Sequence, residues 1–111
     1  MATKTTRAGK LPQHFLKFRQ QHPEIHRACE QLGLAIQAAG PLDQRTRALV
    51  QLGIAIGARQ EGGVHSHTRR AREAGAAPEA IRHAVLLALQ TVGFPNMMAA
   101  LSWVDDVLEK R

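Results

Sequence analysis

Tyrosine is absent from the 111 residues, one tryptophan and three phenylalanines make up the aromatics, and cysteine occurs once. Each shortage excludes something. Aromatics are 4% of a chain that is 44% hydrophobic, so its core has to be built from Ala, Leu, Val and Ile. That mixture favours helices over strands. The single cysteine, Cys29, forbids an intrachain disulfide and a multi-thiolate zinc site within one chain. It suits a reducing compartment. No apolar run approaches the roughly 20 residues that cross a bilayer. The first twenty residues, MATKTTRAGKLPQHFLKFRQ, lack the apolar stretch of a signal peptide. A cytoplasmic protein with no membrane partner is expected. Fifteen Lys and Arg against nine Asp and Glu give a net charge of +6, which would attract polyanions. Yet the basic residues are spread along the whole chain, and few rings are available to stack on bases. A solvated basic surface is therefore expected in preference to nucleic-acid binding.

What is present reads as helix throughout. Residues 1–10 form a polar, basic arm, and a single domain is expected over 11–111. Phe15 and Phe18 anchor a short amphipathic segment ending near Gln21. Pro23 suits the first turn of a second helix, where its missing N–H is no loss. Ile25, Cys29, Leu32 and Ile36 recur along it at helical spacing, which predicts a buried, inert thiol. Asp43 is placed to cap a third helix over 44–59. Glu61-Gly62-Gly63 breaks that run, and a fourth helix is expected over about 63–74. Pro78 starts a fifth that ends at Gly93-Phe94-Pro95, and a sixth runs from Asn96 to about Glu109. Nothing alternates with period two. In the fifth helix Ile81, Val85, Ala88 and Val92 share one face while Leu86 and Leu87 fall off it. A helix apolar nearly all round is expected to be covered on a second side by another copy of the chain.

Two stretches carry a resemblance: LDQRTRALVQLGIAIGA, beginning at Leu42, and HTRRAREAGAAPEAIRHAVLLALQTVGFPNMMAAL, beginning at His67. Between Leu42 and Val104 the chain resembles the carboxymuconolactone decarboxylase / alkylhydroperoxidase D-like family. The run REAGAAPEAIRHAVLLAL is the most diagnostic part. The resemblance implies an all-α bundle of about six helices assembling into ring-like homotrimers or homohexamers. The peroxidase branch of that family carries Cys-x-x-Cys-x-x-x-His, with a glutamate twelve residues before the first cysteine. Counting back from His67, the cysteine stations hold Gln60 and Gly63, and the glutamate station holds Ala48. Dithiol peroxide reduction needs an attacking thiolate and a resolving thiol. Neither is here. The resemblance to the decarboxylase branch, which uses a histidine at the His67 position and lacks the cysteine pair, implies lyase chemistry instead.

The retained segment from Gln60 to Arg70 concentrates acid–base groups. Val64, Thr68 and Ala71 define the inward stripe of its helix, with His67 on one shoulder and Glu61 and His65 together on the other. An imidazole, or a carboxylate held beside one, suits proton transfer near neutral pH. Decarboxylating a small anionic lactone or ring acid needs an anion clamp and a proton donor. His67, His65 and Glu61 are the candidates for proton transfer, and Arg59, Arg69 and Gln60 for holding the substrate. The pocket is expected between the third and fourth helices, lined by Gly53, Gly57 and Val64. Phe94, Met97, Met98 and Trp103 are expected in the core at this spacing, the competing role being to complete the pocket from the last helix or a neighbour. His83, opposite the apolar face of its helix, is assigned to the surface or an interface in preference to the site. Glu-x-x-x-His offers a metal two ligands on one face, but His65 and His67 diverge by roughly 160°. No metal and no cofactor are expected. The competing reading is a non-catalytic, oligomeric binding or scaffold protein that kept the fold after losing the reactive groups.

Overall fold

The computed structural model describes residues 11–109, so the basic arm expected over 1–10 lies outside the described residues. Every regular element among the described residues is an α-helix: α1 (Gln13–Gln21), α2 (Pro23–Gln37), α3 (Gln44–Gly57), α4 (Glu61–Glu73), α5 (Pro78–Leu86), α6 (Leu89–Val92) and α7 (Phe94–Leu108). The all-α architecture matches the expectation. The chain divides into two compact units, Met1–Leu42 and Asp43–Arg111.

In the first unit α1 and α2 form a hairpin hinged at His22, with Pro23 in the first turn of α2. Their facing rings are few. Phe15 meets His26 edge-on at 5.6 Å, and Arg19 lies over the Phe15 ring at 5.7 Å. Neither helix has a buried residue, and Ile25, Leu32, Leu34 and Ile36 are all exposed. Cys29 is exposed too, which corrects its placement as an inert core residue. The periodicity of α2 is real, but it marks an apolar stripe left open.

The second unit holds the core. Leu52 and Ile56 of α3, Val64 and Ala71 of α4, Ile81 and Val85 of α5, and Met97, Ala100 and Val104 of α7 pack into one aliphatic cluster. Asp43 caps α3, its carboxylate accepting from the Thr46 N–H at 2.8 Å. That bond holds the Asp43 carboxyl below its usual range. Thr68 is the buried polar residue of this core, and its hydroxyl is satisfied by donating to the Val64 carbonyl at 2.7 Å. Several boundaries differ from those expected: α3 ends at Gly57 rather than 59, and α7 starts at Phe94 rather than Asn96. The fourth helix starts at Glu61 rather than Gly63, because Gly63 packs against α3: a Cβ there would sit 3.3 Å from the Ala55 Cβ. The expected fifth helix breaks at Leu87-Ala88 into α5 and the one-turn α6, with the Ala88 N–H tightening onto Val85 O and the Thr91 N–H onto Ala88 O. Only one side of this pair is covered. Leu86, Leu87 and Leu89 are exposed, as are Val50 and Ile54 of α3.

The turns leaving α3 and α4 share one hydrogen-bond pattern. After α4, Gly75 (φ +94°) gives its N–H to Arg72 O, and Ala76 gives its own to Ala71 O. After α3, the Arg59 N–H reaches Ile56 O and the Gln60 N–H reaches Ala55 O. Both are six-residue closures that require a left-handed residue. In the second of them that residue is Arg59, at φ +57°. A side chain in this conformation costs about 1–2 kcal/mol, part of which glycine regains only against its own chain entropy. Arg59→Gly is therefore expected to raise stability by about 0.5–1 kcal/mol, read from the urea midpoint. A lowered midpoint would show that the guanidinium contributes more than the strain removes.

Candidate functional site

α4 sets the positions of the reactive groups. Its inward stripe of Val64, Thr68 and Ala71 is fully buried, as the wheel predicts, and this fixes the rotation of the helix. Glu61 and His65 then fall on the side facing α7, one turn apart. Their side chains approach to 3.9 Å, Glu61 Oε2 to His65 Nε2. The same nitrogen lies 3.0 Å from Asp106 Oδ2 on α7, forming a hydrogen bond across 41 residues of sequence. His65 is the sheltered member, its side chain 17% exposed, while both carboxylates are about half exposed. Glu61 also occupies the first turn of α4, where a negative charge is favoured by the helix dipole.

Asp106 did not stand out in the sequence. It has no local spacing to Glu61 or His65, and it becomes part of the cluster only when α7 packs on α4. Its neighbour Asp105 turns the other way and accepts from Arg82 Nε of α5 at 2.9 Å, while Arg82 Nη2 reaches Glu109 at 3.3 Å. Arg72 of α4 donates to the Val107 carbonyl near the end of α7 at 3.2 Å. α7 is thus pinned on both sides of the acidic pair.

The other predicted residues are not gathered here. His67 is half-buried on a different side of α4, and its Nδ1 is buried with no hydrogen-bond partner among the described residues. Burial, with help from the Arg70 charge, holds its pKa below the usual imidazole value, so the ring is neutral at pH 7. Arg69 is half-buried as well; burial first and Arg70 second lower its pKa, with Glu73 opposing. Arg59 and Gln60 are exposed in the turn that leads into Glu61.

The stations that a dithiol centre would use hold Ala48, Gln60 and Gly63. Ala48 is a core residue of α3. A Cβ at Gly63 would meet the Ala55 Cβ and the Gln60 Oε1 at 3.3 Å, and Gln60 is the extended residue preceding α4. A thiol at 63 would have to push its neighbours aside by a few tenths of an ångström.

One groove among the described residues lies elsewhere than between the third and fourth helices. Gly53 and Gly57 do line a groove of about 570 Å³, but its far wall is α5 and α6, with Ala80, Ala84 and Ala88 opposite the glycines. Val64 is wholly buried, and neither it nor Glu61 takes part. His83, assigned to the surface, is exposed and lines this groove together with Thr46 and Thr91. Met97 is core and Trp103 packs against the core, while Phe94 and Met98 are exposed.

A family model described as "Carboxymuconolactone decarboxylase family" matches residues 23–106, which extends the likeness back through α2. No curated protein and no solved structure matches the chain. A buried nitrogen without a partner is destabilising, whereas an apolar group of similar size in its place is not. His67→Leu is accordingly expected to leave the melting temperature unchanged or raised. A fall of several degrees would reveal a partner for that nitrogen.

Proposed function

The chain belongs to the carboxymuconolactone decarboxylase family, and from that footing we propose that it is an acid–base lyase for a small anionic carboxylated lactone or ring acid, centred on Glu61, His65 and Asp106. The observation that carries this reading is the 3.0 Å contact between His65 Nε2 and Asp106 Oδ2. A carboxylate that holds one imidazole nitrogen fixes the ring's tautomer and orientation and leaves the other nitrogen to exchange a proton with the substrate. In a decarboxylation the bond from the ring carbon to the carboxylate breaks and carbon dioxide leaves. The electron pair moves into an adjacent carbonyl as an enolate, and that carbon then takes the proton from His65. Arg59 and Gln60, exposed in the turn before Glu61, supply positive charge and an amide for the substrate's anionic group.

His67 takes a different place in this scheme from the one the resemblance implied. Two residues along a helix from His65, it points roughly 160° away and cannot act on the same atom within one chain. Its neutral ring is a structural neighbour of the centre. The test uses carboxymuconolactone itself, with carbon dioxide release followed in time. His65→Ala and Asp106→Asn are each expected to lower turnover by about 10²-fold or more, the usual range for a positioned acid–base group. His67→Leu is expected to stay within a few-fold of the parent. No release from the parent protein, or full release from His65→Ala, would overturn the assignment.

A second reading is favoured by the groove and by the open apolar face around it: an oligomeric binding or scaffold protein with no turnover. On this reading Ile54 (66% exposed) and Leu87 (68% exposed) are covered by further copies in a homotrimer or homohexamer. Light scattering is expected to report the oligomer for the parent chain and a monomer for Leu87→Asp. A monomeric parent would remove the assembly from either reading. A ligand that raises the melting temperature yet is recovered unchanged would favour binding over catalysis.

A further inference from the structure

We propose that Glu61, His65 and Asp106 form a binding site for one divalent transition-metal cation, of which zinc and manganese are the representative kinds. One ligand atom from each residue lies within 4.8 Å of the other two. The sequence shows only two of these ligands, on one face of α4; the third arrives from α7.

The arrangement leaves a mismatch that a cation resolves. Both carboxylates approach the same nitrogen, His65 Nε2, at 3.0 Å for Asp106 and 3.9 Å for Glu61. That nitrogen carries at most one proton, so it can donate to one carboxylate only, and 3.9 Å is too long for a hydrogen bond. A cation among the three groups serves both carboxylates and the nitrogen lone pair at once. Zinc binds imidazole nitrogen and carboxylate oxygen at about 2.0–2.2 Å. The Glu61 and Asp106 side chains are about half exposed, which leaves their carboxylates room to turn toward a shared cation. The two helices keep their places, held by the buried stripe of α4 on one side and by Arg82 and Arg72 on the other.

One imidazole and two carboxylates make a borderline-hard donor set suited to zinc, manganese or ferrous iron, and poorly matched to soft cuprous ion. With three protein ligands the cation keeps at least one open position. That position falls on the solvent side, where both carboxylates are half exposed. The inference stands on the placement of three side chains and concerns the same residues as the lyase reading, since a cation on Nε2 replaces the proton by which that reading ties His65 to Asp106.

The test titrates the full chain, stripped with EDTA and dialysed, with zinc chloride and in a separate run with manganese chloride in a calorimeter. The expected result for at least one of the two is a single saturable site per chain together with a raised melting temperature. His65→Ala is expected to lose that site. Glu61→Gln and Asp106→Asn are each expected to weaken it at least tenfold. Glu61→Gln lies at an exposed position, so it reports on ligation even where His65→Ala disturbs the packing of α4 on α7. No saturable site for either cation overturns the proposal, as does binding of parent strength in both His65→Ala and Glu61→Gln. Turnover by the stripped protein bears on the lyase reading alone, and the heat of binding bears on the cation site alone.

Discussion

The seating of α4 against α3 and α7 is the constraint on which the second unit depends. Val64, Thr68 and Ala71 are each fully buried, so this helix has one possible rotation about its axis. Rotation by a single residue would bring a charged side chain into an aliphatic core, and charged groups are buried at high cost unless paired. Once the stripe is seated, the neighbourhoods of Glu61, His65 and His67 are no longer adjustable. The close approach at Gly63 belongs to the same constraint, since a larger residue there would lift the first turn of α4 away from Ala55. The Glu61–His65–Asp106 cluster is in this sense a by-product of aliphatic packing: the helix is oriented by what it hides, and its titratable groups follow.

Much of the architecture was legible in the sequence because it is written in local patterns. Asp43 and Pro78 mark helix starts, Gly75 and Gly93 mark stops, and the stripe of α4 is visible on a wheel. All of these are read within about two turns of the chain. The misplacements came where a second element decides. Gly62-Gly63 reads as a breaker, but α3 stabilises a helical turn there by packing against it. Leu86 and Leu87 read as continuous helix, and the tightened turn at Ala88 interrupts it. Cys29 lies on an apolar stripe, and a stripe says which residues share a face without saying that anything covers that face.

The site divides along the same line. The Glu61–His65 pair is an i,i+4 relation, legible from spacing alone. Asp106 is invisible to any such rule, since its contact depends on how α7 packs across α4. The groove was half-legible: the small residues Gly53 and Gly57 do admit a close approach, but periodicity cannot say which helix stands opposite. The missing dithiol set, by contrast, needed no structure, because a chain with a single cysteine cannot form the pair. The packing adds that Ala48 lies in the core, that Gly63 approaches α3 closely and that Gln60 is exposed at the start of α4.

Asp105 and Asp106 are neighbours in sequence that engage opposite flanks, one the guanidinium of Arg82 on α5 and the other the imidazole of His65 on α4. Successive residues on a helix point about 100° apart, so the two carboxylates act as a pair of guy ropes on a mast. α7 cannot turn toward one anchor without slackening the other. The aim of the imidazole is therefore set in part from the far side of the bundle, by an arginine that never comes near it. The tail of α7 is thus tied at adjacent residues to both α5 and α4.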